Sequence, residues 1–357
     1  MKKSTKIALI NDYPKETGIG KYAFNLFSEL QKKIDIEMIF LGKAEGNKIR
    51  SMGTGINFPL LKKTLNSHYF YPKRIPKEYS LFHASNQFIA GIAEYNKPSV
   101  VSCMDIIPFV LKKDYPFAMR VFIESSMKAM NKAEKIISIS DFTKQELIER
   151  FGIKKEKIKT IYLGYDKKNF MKKNRQKARK KLGLEKEKIY LLNVGSEENR
   201  KNVSELIKAV KDLDVELIRI GEQRTTTKKL IEKEKIENVF YEKNVSEQKL
   251  SDYYNAVDLS VFPSTYEGFG LPILEAMACS CPILTTNCTS IPEITGKMPV
   301  QIKKISESEI KEKIKEVLEN KSIQKSIKRK GLKQAKKFSW KKCAKETLGV
   351  YESVLRK

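Results

Sequence analysis

Pro263-Ser264-Thr265-Tyr266-Glu267-Gly268-Phe269-Gly270-Leu271-Pro272-Ile273-Leu274-Glu275-Ala276-Met277-Ala278 is the stretch from which the fold is read. The apolar run Leu259 to Phe262 ends at Pro263 and reads as a buried strand. A glycine-rich loop follows, and Pro272 suits the first helical position, where a missing N–H costs nothing. Strand, glycine loop and helix in that order aim the free N–H groups and positive dipole end of a helix at the loop. A phosphate or diphosphate suits such a place, and Gly268 and Gly270 let backbone approach it closely. Two carboxylates bracket the loop, Glu267 before it and Glu275 inside the helix, with seven residues between them. Carboxylates repel phosphate, so their chemistry here is to accept hydrogen bonds from sugar or ribose hydroxyls. A diphosphate with hydroxyls on both flanks describes a nucleotide-sugar.

A chain of 357 residues is expected to form two domains, and 41% hydrophobic residues can fill two cores. The basic N-terminus precedes only a short apolar run, Ile7 to Ile10, too short for a signal-peptide core. No run approaches the ~18 apolar residues of a spanning helix. A cytoplasmic protein is expected, peripheral to the inner membrane face if it meets lipid at all. Five cysteines without a signal peptide point to reduced thiols. Cys279-x-Cys281 with Cys288 has the wrong spacing for a zinc pair and no histidine nearby, so these read as small buried residues. Neither a metal site nor a cofactor is expected. The net charge of +27 is concentrated in two acid-free blocks, Lys167 to Lys181 and Lys328 to Lys345, each with nine Lys or Arg. Two readings stay open: affinity for anionic lipid, nucleic acid or another polyanion, or a solvated lysine-rich surface.

Lys6 to Asn11 reads as a first strand. Thr17-Gly18-Ile19-Gly20-Lys21-Tyr22 then opens an amphipathic helix, without the third glycine of a dinucleotide fingerprint. Asp35 to Leu41 is a second strand, and residues 42–79 resist assignment. The aromatic tract Asn66 to Pro72 either lines an acceptor site or packs a loop. His83, in Leu81 to Gln87, is a cleft candidate or a structural histidine. Ser99 to Cys103 is a buried strand, and Asp105 beyond its carboxyl end is either an active-site residue or a turn residue. A helix over Pro116 to Asn131, a strand over Lys135 to Ser140, a helix capped at Ser140 and a strand over Ile158 to Leu163 complete this half. A second βαβ run starts at Tyr190 to Gly195. Its loop carries Arg200-Lys201 before the helix Val203 to Val210, and two cations there can neutralise a leaving diphosphate. Strands over Val215 to Gly221, Val239 to Tyr241 and Pro282 to Thr285 follow. So do helices over 225–236 and Ser246 to Asn255, a capping box at Ser306 to Glu309, and a last helix around Trp340 to Leu355.

Glu267 to Glu275, with the intervening Gly-Phe-Gly-Leu-Pro, then Ala-Met-Ala and Cys281-Pro282, resembles the E-x7-E signature of the retaining glycosyltransferases of family 4. The glycine loop at Thr17 to Tyr22, Ile137 to Lys144, Ile161 to Asp166, and Gly195 with Arg200-Lys201-Asn202 also look like members of that family. The resemblance implies an α/β GT-B fold, two Rossmann-like doubly wound domains facing across a cleft. Residues 1–166 would form the acceptor domain and 167–338 the donor domain, with 339–357 a helix crossing back to brace the first. It places Glu267 on the donor sugar and Glu275 on the ribose. The backbone from Gly268 through Phe269 and Gly270 to Leu271 would hold the diphosphate. Lys201 and Arg200 would lie at the phosphates, Gly18 and Gly20 would face donor and acceptor, and Asp105 would sit at the reacting sugar. Three places depart from the pattern: Met104 stands where members often carry His, Ser196 where some carry Arg, and Lys297-Met298 where a small acidic-Ala segment usually follows Gly296. Met104 leaves three outcomes open: backbone and Asp105 suffice, the sugar is held differently, or activity is reduced. The expected activity is metal-independent, retaining hexosyl transfer from GDP-mannose or a UDP-hexose to a lipid-linked or polysaccharide acceptor, closest to the mannosyltransferases. Two alternatives remain: a non-catalytic polyanion- or membrane-binding protein on a GT-B scaffold, and a glucosyltransferase acting on nucleic acid.

Overall fold

The computed structural model describes residues 5–43, 46–53 and 66–356. Contacts divide the chain into two units, 1–164 with 340–357, and 165–339. In the first, β1 (Lys6–Asn11), β2 (Asp35–Phe40), β3 (Ile49–Ser51), β4 (Leu81–Ala84), β5 (Ser99–Cys103), β6 (Lys135–Ser138) and β7 (Ile158–Thr160) form one sheet in the order β3-β2-β1-β4-β5-β6-β7. Every ladder in it is parallel. Parallel neighbours need crossovers, which is why helices such as α1 (Gly18–Leu30), α2 (Phe117–Met130) and α3 (Asp141–Phe151) separate the apolar runs. The strand order reverses between β1 and β4, and the loops at their carboxyl ends part there, leaving room for a ligand.

The second unit repeats the plan in five strands. β8 (Tyr190–Val194), β9 (Glu216–Ile220), β10 (Val239–Glu242), β11 (Leu259–Phe262) and β12 (Ile283–Thr285) stand in the order β10-β9-β8-β11-β12, again all parallel. Its reversal lies between β8 and β11. Its helices include α4 (Arg175–Leu182), α5 (Val203–Val210), α6 (Thr225–Glu234), α7 (Glu247–Ala256), α8 (Leu271–Ala278), α9 (Glu307–Glu319) and α10 (Lys321–Ala335). The last helix, α11 (Trp340–Leu355), belongs to the first unit and packs on α1.

Local differences from the sequence reading have physical reasons. The strand expected to reach Leu163 stops at Thr160. The capping box is half formed: Ser306 Oγ accepts the Glu309 N–H at 3.3 Å, but the Glu309 carboxylate takes the N–H groups of Lys303 and Lys304 instead of returning to Ser306. The basic block Lys328 to Lys345 is two helices, broken near Phe338. Of the aromatic tract, Tyr71 is buried in the first unit's core with Phe70 against it, whereas Tyr69 is exposed. Side chains of 67 and 68 lie outside the description.

His83 is structural. Its ring is fully buried, with Nδ1 2.6 Å from the Tyr351 hydroxyl and Nε2 2.8 Å from Ser102 Oγ, and Ser102 in turn meets Tyr22 at 2.7 Å. This chain of hydroxyls and imidazole ties α11 and α1 to β4 and β5. Burial lowers the His83 pKa from 6.5 to about 3. The folded unit therefore refuses a proton that the unfolded chain accepts. Its stabilisation is complete above pH 6.5 and declines as pH falls toward 3, with roughly 2 kcal/mol lost by about pH 5. Urea melts at neutral and acid pH check this: His83→Gln should flatten that part of the slope. Tyr351→Phe, which leaves a ring nitrogen unpaired, should cost about 1–3 kcal/mol at neutral pH.

Candidate active site

At the strand-order reversal of the second unit, two loops leave the carboxyl ends of adjacent strands, 195–202 after β8 and 263–270 after β11. They are knitted together by backbone and amide bonds. Asn202 Nδ2 donates to the Pro263 carbonyl at 2.7 Å, the Thr265 N–H donates to the Arg200 carbonyl at 2.8 Å, and the Arg200 guanidinium donates to the Tyr266 carbonyl at 2.7 Å. Asn202 serves here because it tolerates the left-handed backbone (φ 50°) that the turn demands. Across this seam lies Glu267. Its Oε1 accepts from Lys201 Nζ at 2.6 Å and its Oε2 from Arg200 at 3.0 Å. The carboxylate is buried, at 8% exposure. Burial alone would raise its pKa, but the charges of Lys201 and then Arg200 outweigh burial and leave the pKa lowered. From behind, the Glu267 N–H donates to Thr289 Oγ1 at 3.0 Å, and the Ser290 hydroxyl meets the carbonyls of Glu267 and Phe269 at 2.8 and 3.2 Å.

The loop then turns through Gly270, whose φ of +107° strains any residue with a Cβ, and α8 begins at Leu271. Pro272 is thus the second helical residue, one later than its sequence position suggests, and the Ile273 and Leu274 N–H groups after it donate to the Gly270 carbonyl at 3.1 and 3.2 Å. Gly268 is buried beside Phe269, whose ring points inward, edge-on to Phe338 at 5.9 Å. Glu275 is buried in α8 at 4% exposure, and its charge adds to burial in raising the Tyr254 phenol.

The first unit assembles its own group at the β1–β4 reversal. Gly20 sits under the turn from Pro14, and a Cβ there would lie 1.8 Å from the Pro14 carbonyl oxygen. Thr17 caps α1 by accepting the Gly20 N–H at 3.0 Å, and Gly18 is exposed with open space around it. Asn86 donates to Asp12 at 2.8 Å and Ser85 to Asn11 at 3.0 Å, joining the two loops. Asp105 Oδ1 accepts the Ile107 N–H at 3.1 Å, so this residue does shape a turn. Burial, then the charges of Asp12 and Asp105, raise the Tyr13 phenol, which sets all three residues in one neighbourhood. Met104 is buried, and its N–H donates to Gln87 Oε1 at 3.0 Å. Tyr13 and Gln87 were not singled out in the sequence; Gln87 lies three residues past the end of β4, at the start of a short 3-10 turn.

Glycosyltransferase Family 4 matches residues 17–169, and Glycosyl transferases group 1 matches residues 174–334. The chain belongs with these glycosyltransferases. O-antigen chain mannosyltransferase B of Escherichia coli is 28% identical over 370 residues, spanning 94% of this chain and 96% of that protein. Among solved structures, sucrose-phosphate synthase from Thermosynechococcus elongatus superposes with a TM-score of 0.82 at 18% identity, covering 99% of each chain. Anabaena HepE in complex with UDP-glucose gives 0.80 at 18% identity, covering 98% of this chain and 99% of that one. The fold is GT-B. Among the described residues no helix is long and apolar enough to cross a membrane.

The glycosyltransferase also holds a support that the sequence reading passed over. Arg219 is fully buried in β9 and donates to the carbonyls of Asn193, Ile220 and Gly195 at 3.0, 3.2 and 2.6 Å. Its ion-pair partner Glu197, 3.8 Å away, accepts from Tyr241 at 2.5 Å, Thr227 at 2.7 Å and the Arg224 N–H at 2.8 Å. The signal was a lone Arg inside Leu217-Ile218-Arg219-Ile220, because parallel strands buried on both faces are otherwise nearly all apolar. Arg219→Leu leaves Glu197 charged and buried and frees three carbonyls, so it should destabilise the protein by about 3–5 kcal/mol. Calorimetry checks this. A melting temperature within a degree or so of wild type would show that the loop after β8 stands without Arg219.

Proposed function

We propose that this glycosyltransferase moves a hexose of the mannose or glucose class, with retention, from a nucleotide diphosphate sugar to a hydroxyl of a lipid-linked or polysaccharide acceptor in glycan biosynthesis. The observation that carries this is Glu267, buried and charged, held by Lys201 and Arg200 beside the glycine turn and half-buried start of α8. GDP-mannose is the favoured donor, since a relative of matching length is named as a mannosyltransferase; a UDP-hexose is the alternative. A lipid-linked acceptor would place the reaction at the cytoplasmic face of a membrane.

The roles follow from charge and reach. The start of α8 and Lys201 take the diphosphate, and Glu275 takes the ribose hydroxyls. Glu267 accepts hydrogen bonds from the sugar. Arg200 is already engaged by Glu198, the Tyr266 carbonyl and Glu267, so it acts by holding Glu267 in place. In the first unit, Asp105 and the loop of Gly18 and Gly20 serve the sugar and acceptor end. As the bond from the sugar's anomeric carbon to the diphosphate breaks, a phosphate oxygen takes the acceptor's proton. The acceptor oxygen then bonds to the same face of that carbon. Helix dipole and Lys201 charge stabilise the departing anion, without a dedicated general base.

Thermal shift and slow hydrolysis with GDP-mannose, UDP-glucose and UDP-N-acetylglucosamine test the reading. One donor should shift the melt selectively. Lys201→Ala and Glu275→Ala should each lower turnover of that donor about 10²-fold with the fold intact. A well-folded protein that responds to none of these nucleotides, or variants that turn over like wild type, would overturn it.

A further inference from the structure

The two basic blocks are about 150 residues apart in sequence, and in the second unit they meet. Lys172, Lys173 and Arg175, from the chain leading into α4, line one side of a cavity of about 380 Å³. Lys325, Lys328 and Arg329, from α10, line the other. The volume falls within the ~300–1,000 Å³ span of small-molecule sites. No carboxylate is among its lining residues. The nearest acids are already engaged: Asp252 by Lys173 and Lys181, and Asp258 by Arg175 and Arg179. Among the described residues no ion pair reaches Lys172, Lys325, Lys328 or Arg329. The spacing of the last three, i, i+3 and i+4, puts them on one face of α10, where like charges oppose the helix by a few tenths of a kcal/mol per pair. That helix holds six cations and no acid in its fifteen residues.

The cavity is separate from the candidate active site. Its floor includes Val257, just before β11, and Cys281 and Pro282, just before β12. These are the amino ends of the strands, whereas Glu267 and the 195–202 loop stand at the carboxyl ends. Four residues of β11 set the two edges about 13 Å apart. A solvated lysine-rich surface gains nothing from crowding cations around a concavity. Lys328 registers the crowding: half-buried, its amine is lowered first by burial and then by the Arg175 charge, with Lys172 adding to it.

We propose that this cavity is a second anion site, taking a ligand with at least two adjacent phosphates, whether a soluble diphosphate or the diphosphate head of a lipid. Two phosphates carry the charge to meet four unpaired cations, and their oxygens can accept from both walls at once.

Residue-resolved acetylation of the full-length protein, read by mass spectrometry, tests the site. Inorganic pyrophosphate should slow modification of Lys172, Lys325 and Lys328 about fivefold or more and leave Lys341, Lys342 and Lys345 unchanged. The protection should persist in Lys201→Ala, which separates it from binding at the donor edge. Vesicles of neutral phospholipid containing a polyprenyl diphosphate distinguish the source. Protection of the same lysines by these vesicles, and by none lacking the diphosphate, assigns a lipid head; protection by pyrophosphate alone assigns a soluble ligand. The combined variant Lys325→Ala, Lys328→Ala, Arg329→Ala should weaken pyrophosphate binding about tenfold. Lys341→Ala, Lys342→Ala, Lys345→Ala, which removes equal charge elsewhere, should hold it within about twofold. No protection by either ligand, or equal weakening in both triple variants, would overturn the proposal.

Discussion

A carboxylate taken out of water must be neutralised, and at Glu267 that requirement organises the second unit's loops. The unpaired cost is several kcal/mol, so Lys201 and Arg200 must reach the carboxylate from the neighbouring strand's loop. For them to reach it, the backbone must pass through a left-handed Asn202, and the two loops must be stitched by Asn202, Thr265 and the Arg200 guanidinium. The Thr289–Ser290 segment then fixes the backbone of Glu267 from the other side. The same set of bonds fixes where α8 starts, because the helix can begin only after Gly270 has turned the chain.

The pairing also gives the proposed chemistry its exchange. The Lys201 ammonium pairs with Glu267 at the end of a flexible stem, whereas Arg200 is held at three points. In the proposed reaction an arriving diphosphate would compete with Glu267 for Lys201 alone. Sugar hydroxyls can then replace the ammonium at the carboxylate. On that proposal donor binding would trade one internal charge pair for two contacts to the ligand, with Arg200 still paired to Glu267. Arg219 works a layer below: by gathering the carbonyls of Asn193, Gly195 and Ile220 it sets where the loop carrying Lys201 departs from the sheet.

Much of this was legible in the chain, and the limits have physical causes. Strands β1 and β5 and helices α5 and α11 fall where periodicity and punctuation put them, since those signals are local. The loops at both reversal points were legible because glycine and proline mark them. Partners were not. Arg200, Lys201 and Glu267 were each visible, but their meeting depends on β8 and β11 being neighbours, a fact of sheet order. His83 illustrates the same limit: its structural role rests on Tyr351, 268 residues away, on the helix that returns to the first unit. Arg219 was legible as an exception to a buried strand. The basic blocks were legible as charge, while their convergence on one concavity was not.

Met104 shows how far a departure from a family pattern reaches. Its N–H is held by Gln87, and the following Asp105 closes a turn onto the Ile107 N–H. Both bonds use groups other than the Met104 side chain. At the carboxyl end of β5 these two bonds hold the course of the chain, while the Met104 side chain is buried beside them. A neutral imidazole carries one donor and one acceptor nitrogen, where the thioether of Met104 carries only a weak acceptor. The turn that places Asp105 is thus held by the backbone and by the Asp105 carboxylate itself.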